Sequence, residues 1–126
     1  GLVGSEMCIR DSFLQEMQQK MGNDAKFVLD IKQAVRSKED PMQMLKTLGS
    51  GVVHVHMSDH GEYGDCLQIG AGRFAVKSFL QTLAQLSPNC TIVLELYRSG
   101  FRTLQDLLHN DHILQRMIQS CQEKEE

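Results

Sequence analysis

The chain reads as an α/β protein built on parallel strands. Three short, apolar, β-favouring runs, KFVLD, VVHVHMSD and TIVLELY, are separated by stretches with helical spacing. Each run ends in polar residues. Strands that alternate with helices imply right-handed crossovers and parallel pairing. No internal repeat suggests a solenoid.

The elements follow in order. Gly1 to Ser12, GLVGSEMCIRDS, has neither periodicity nor the apolar core of a signal peptide. It is expected to be a non-native leader of adaptor or vector type that packs little against the rest. Ser12 caps an expected helix, FLQEMQQKMG, with Phe13, Met17 and Met21 at helical spacing. Residues 13–126 form the single expected domain. Its first strand, Lys26 to Asp30, is followed by IKQAVRSKED, which reads as a loop with a short turn. PMQMLKTLG reads as a helix with Asp40 as its cap, Pro41 at its first position and Gly49 as its stop.

The second strand, Val52 to Ser58, leads into HGEYGDCLQIGAG. That Gly-rich stretch is long for a simple connection, and such loops often carry function. RFAVKSFLQTLAQLS is the next helix, buried through Phe74, Phe79, Leu80, Leu83 and Leu86, and Pro88 ends it. The third strand spans Ile92 to Tyr97. Thr103 and Asp106 fit a capping box for a short helix, and Asp111 caps a last one running toward Cys121.

The totals exclude several classes. The net charge is −3, and no basic stretch can follow a phosphate backbone, so nucleic acid is not an expected partner. No apolar run approaches the length of a membrane span. Cys8, Cys66, Cys90 and Cys121 lie far apart and form no CxxC pair. Free thiols in a reducing cytoplasm are expected.

Strand alternation places the chemistry. Val28 and Asp30 share a face, as do Val52, His54, His56 and Ser58, and likewise Val93, Glu95 and Tyr97. The opposite faces, including Phe27, Leu29, Val53, Val55, Met57, Ile92, Leu94 and Leu96, are wholly apolar and fit beneath helices. Two carboxylates and an imidazole thus line one side of the sheet. Such groups are costly to bury unless they are paired or bound to metal. They lie at C-terminal strand ends, where parallel α/β proteins place their sites. Imidazole with carboxylates suits manganese, zinc, cobalt or iron. His54 is expected to support or pack beside the site. His109 and His112 are expected on a helix surface, and Cys66 as a bystander in the Gly-rich loop.

The runs HVHMSD, GDCLQIGAGRF and IVLELY, preceded by FVLDIKQA, resemble the last strands of the xylose-isomerase-like TIM barrels. That superfamily holds the sugar phosphate isomerases/epimerases and endonuclease IV. The resemblance covers roughly Phe13 to Ile118. It implies that the chain is the C-terminal three βα units of a (β/α)8 barrel, with Asp30, His56 and Glu95 as three of the usual four metal ligands. The fourth is a Glu on an earlier strand.

The resemblance further implies a divalent ion (manganese, zinc, cobalt or magnesium) and isomerisation or epimerisation of a sugar or sugar phosphate through an enediolate. Glu95 would coordinate and also move the proton. Lys32, Gln33, Gly70, Gly72 and Arg98 would contact substrate. Where many members read Asp-x-x-His, this chain has Gln33. Where endonuclease IV carries Asp-x-His, it reads Asp65, Cys66, Leu67, so a trinuclear zinc site is not expected. The rival readings are an endonuclease IV-like or other metal-dependent hydrolase or lyase on the same barrel, and a non-catalytic fragment or small three-stranded α/β binding module. A partial barrel has open sheet edges, and association with further copies of the chain is the expected consequence.

Overall fold

The computed structural model describes residues 25–97 and 102–123, together with Glu16, Gln19 and Lys20. The expected leader, nearly all of the expected helix at 13–22, and Arg98 lie outside the described residues. The architecture is mixed α/β around a three-stranded parallel sheet. Strand β1 (Phe27–Asp30) pairs with β2 (Val52–Met57), and β2 pairs with β5 (Thr91–Leu94), giving the spatial order β1-β2-β5. A two-stranded antiparallel hairpin, β3 (Asp59–Gly61) and β4 (Gly64–Leu67), stands after β2. Helices α1 (Ile31–Arg36) and α2 (Pro41–Leu48) join β1 to β2. Helix α3 (Val76–Leu86) precedes β5, and α4 (Leu104–Glu123) follows it.

Local chemistry explains most boundaries. Asp40 caps α2, its carboxylate accepting the Met42 N–H at 2.9 Å; Pro41 opens the helix, and Gly49 ends it at φ +55°. Ser87 closes α3, its N–H donating to Leu83 O while its hydroxyl donates to Val52 O. Thr103 and Asp106 form the expected reciprocal cap of α4. The Thr103 hydroxyl accepts the Asp106 N–H at 3.2 Å, and Asp106 accepts the N–H groups of Arg102 and Thr103.

Four expectations need correction. IKQAVR is a helix and not a loop. Asp30 caps it by accepting the Gln33 N–H at 3.0 Å, no Gly or Pro interrupts it, and Ile31 and Ala34 bury its inner side. The Gly-rich stretch holds the β3–β4 hairpin, whose strands are too short to show alternation. The two expected C-terminal helices are one, because nothing between His109 and His112 breaks the ladder. Within it, Asn110 is buried and clamps the backbone of Ile69, accepting its N–H at 3.1 Å and donating to its carbonyl at 3.3 Å. Finally, Val52 is buried and Val53 half-exposed, the reverse of the expected faces. Phe27 pairs with Val52 but Val28 with His54, so Val53 is an extra residue in the ladder and the alternation skips there.

The core lies on the helix side of the sheet. Phe27, Leu29, Val55 and Met57 pack there with Leu45 and Leu48 of α2 and Phe79, Leu80 and Leu83 of α3, and Leu114 of α4 completes it. The opposite side carries the polar residues. No helix among the described residues is long and apolar enough to cross a membrane.

Candidate metal centre

The parallel register assembles the site. Asp30 is level with His56, and His56 is level with Val93. Glu95 lies two residues beyond Val93, on the same face, and its N–H extends the ladder by donating to Met57 O at 2.8 Å. Three neighbouring strands therefore deliver an acid, an imidazole and an acid to one place. His56 Nδ1 stands 3.1 Å from Glu95 Oε2 and 3.5 Å from Asp30 Oδ2. One candidate ligand atom from each residue lies within 4.8 Å of the others.

The donor set fits a divalent ion. Two hard carboxylates and one borderline imidazole suit zinc, manganese or cobalt, and all three side chains are partly buried, so a bound ion would stay reachable by a small molecule. Each candidate ligand is also held from behind. Asp30 is fixed as the α1 cap. His56 has the His54 ring edge-on at 4.9 Å, and His54 Nδ1 in turn lies 2.6 Å from the Thr91 hydroxyl. Glu95 Oε1 is ion-paired to Lys32 Nζ at 2.7 Å. Such supports orient ligands and tune them.

The charges agree with this arrangement. Burial alone would raise the Glu95 carboxyl, but hydrogen bonds and charge from Lys32 and His56 outweigh it and hold the group below the usual glutamate range. The same Glu95 bond pushes Lys32 up. Both groups are charged at neutral pH.

Of the other expected contact residues, Lys32 joins the centre through Glu95, and Gln33 lends its backbone N–H to Asp30. Gly70 and Gly72 serve the hairpin region. Gly70 has φ +93° and donates its N–H to Asp59, while a Cβ on Gly72 would fall 2.3 Å from His60 O and 2.5 Å from Asp59 Oδ1. Arg98 lies outside the described residues. His109 and His112 are exposed on α4 and join no candidate metal cluster among the described residues.

Three features escaped the sequence. Asp59, the acid that closes HVHMSD, is buried and accepts N–H bonds from His60, Gly70 and Phe74 at 2.7, 2.8 and 3.0 Å. Its place in the run was legible, its role was not. Cys66, expected as a bystander, is buried at φ +56° with Sγ 3.4 Å from Glu95 O and 3.8 Å from Glu95 Oε1. Burial, with the nearby Glu95 charge, pushes its thiol up, which suits packing and not nucleophilic attack. Arg36 grips Asp65 of β4 through Nε at 2.8 Å and Nη2 at 3.2 Å, and Nη2 also donates to the Tyr97 hydroxyl. This ties α1, the hairpin and the end of the third strand into one rim. No protein-family model matches the chain, and no curated protein or solved structure is significantly similar to it.

Proposed function

We propose that the chain is the C-terminal part of a xylose-isomerase-like TIM barrel, and that its parent is a metal-dependent isomerase or epimerase of a sugar or sugar phosphate. The observation that carries this reading is the convergence of Asp30, His56 and Glu95 at the C-terminal ends of three adjacent parallel strands. The motifs HVHMSD, GDCLQIGAGRF and IVLELY support it by order and spacing.

Asp30, His56 and Glu95 would hold the ion. A divalent ion in this position supplies Lewis-acid polarisation of a hydroxy-carbonyl substrate. The chain's residues do the rest. Glu95, kept ionised by Lys32 and His56, takes the proton from the carbon beside the carbonyl, and the released electron pair moves onto the carbonyl oxygen to give an enediolate. In isomerisation that proton returns to the former carbonyl carbon, while the hydroxyl proton on the deprotonated carbon passes to the former carbonyl oxygen, so hydroxyl and carbonyl exchange places. In epimerisation Glu95 keeps that proton, and a second carboxyl group, which the resemblance puts on another strand of the barrel, gives its own proton to the same carbon from the other face. Lys32, at the edge of the centre, neutralises charge on Glu95. The Tyr97 ring, flanked by Lys32 and Arg36, walls the substrate side.

The test is metal content together with sugar isomerisation and epimerisation on the full-length protein. His56→Ala is expected to lose the metal and turnover together. Glu95→Gln is expected to keep more metal than His56→Ala while losing about 10²–10⁴-fold in turnover, the usual worth of a positioned base. Full activity in His56→Ala, or in excess chelator, overturns the reading. Turnover of esters or phosphodiesters in place of sugars points to a hydrolase on the same barrel.

A further inference from the structure

The two oxygens of Glu95 live in different surroundings. Oε2 faces His56 Nδ1 at 3.1 Å, toward the centre. Oε1 faces Lys32 Nζ at 2.7 Å, with the Cys66 thiol at 3.8 Å on the same oxygen. Lys32 is not a loose surface charge. Its side chain is only 14% exposed, and its ammonium also sits over the Tyr97 ring, 5.4 Å from the centroid. An ion pair so placed is screened less than an exposed one.

Its position follows from the cap. Asp30 ends β1 and starts α1, so Lys32 falls in the first turn of the helix. The turn that orients Asp30 toward His56 therefore also sends Lys32 to Glu95. Two carboxylates bring two negative charges to the triad, and Lys32 returns one positive charge to it. A divalent ion held by a bare Asp-His-Glu set would be neutralised; here it shares the carboxylates with a fixed cation.

We propose that Lys32 is a resident counter-ion of the centre: it confines Glu95 to one-oxygen coordination through Oε2 and keeps the affinity for divalent ions below that of the Asp30–His56–Glu95 set alone. This inference rests on the metal-centre reading. Its chemical consequence is an ion that exchanges readily and keeps coordination positions open for substrate oxygens. A second carboxylate oxygen would otherwise fill one of them.

The test titrates the full chain with Mn²⁺ at one pH near neutrality, following the electron paramagnetic resonance signal of free aqueous Mn²⁺. Native protein is compared with Lys32→Met, Lys32→Gln, Lys32→Arg and His56→Ala. A unit charge a few ångströms from a divalent ion weakens its binding on the order of tenfold even in water-like surroundings, so Lys32→Met and Lys32→Gln are expected to bind about tenfold more tightly, and Lys32→Arg within about twofold of native. Lys32→Gln keeps a polar head on Glu95, so it carries the test if Lys32→Met fails to fold. His56→Ala is expected to lose binding.

Native-like or weaker binding in the folded uncharged variants, with binding lost in His56→Ala, overturns the counter-ion role and leaves the centre standing. Binding undiminished in His56→Ala, or absent from every protein tested, overturns the centre itself and the inference with it.

Discussion

Asp59 shows how much a single side chain organises near the site. It is almost completely buried, and among the described residues it carries no ion pair; its carboxylate is balanced by three backbone N–H donors drawn from both ends of the segment between β2 and α3. Gly72 makes room for it, since any side chain there would strike Asp59 and the His60 carbonyl. The His60 ring stacks on Phe74 at 4.9 Å and fixes the same corner. Removing the carboxylate strands the donors. Asp59→Ala is expected to lower unfolding stability by about 3–5 kcal/mol, since each lost bond leaves a desolvated donor. Urea denaturation measures this, and a loss below about 1 kcal/mol would mean that water replaces the carboxylate without penalty.

At the scale of elements, caps decide where helices begin. Asp30 and Asp40 start α1 and α2, and Thr103 with Asp106 starts α4. The N–H groups of Arg102 and Thr103, in that order of importance, hold the Asp106 carboxyl below its ordinary value near 3.8. A group depressed in the folded state contributes stability that is fully present above the unfolded value and is lost as pH falls through the folded one. The first turn of α4 is therefore expected to loosen only below about pH 3.8. The amide resonances of Arg102 and Thr103 should shift in that window, and the shift should vanish in Asp106→Asn. Movement centred above pH 5 in the native protein, or persisting in Asp106→Asn, would assign it to another carboxyl.

For the whole molecule, the two faces of the sheet differ. The helix side holds fully buried Leu29, Val55, Met57 and Phe79, whereas on the other side Val28, Val93 and Tyr97 are 38%, 49% and 38% exposed. Among the described residues, β1 and β5 are the edges of a three-stranded sheet. Unpaired edges beside exposed valines promote pairing with another chain. Sedimentation velocity is expected to show concentration-dependent association, reduced by Val93→Lys, which places a charge on the exposed face near an edge. A single compact monomer at every concentration would refute this.

What the sequence determined by itself is what depends on local period and local chemistry. Alternation, broken only at Val53, set which side chains face together, and polar ends marked the C-terminal tips of the strands, so the meeting of Asp30, His56 and Glu95 was legible. Asp40, Pro41, Gly49 and the Thr103–Asp106 pair marked helix ends because capping acts within one turn. Only the tertiary structure decided the rest. Arg36 reaches Asp65 and Tyr97 across 29 and 61 residues of chain, and Lys32 finds Glu95 on a different strand. No period encodes such pairs; they exist because packing brings the ends of separate elements together. The extra residue at Val53, the hairpin in the Gly-rich stretch and the unbroken α4 belong to the same class. In each, the local pattern is too short or too ambiguous to choose a backbone, and contacts across the molecule choose it.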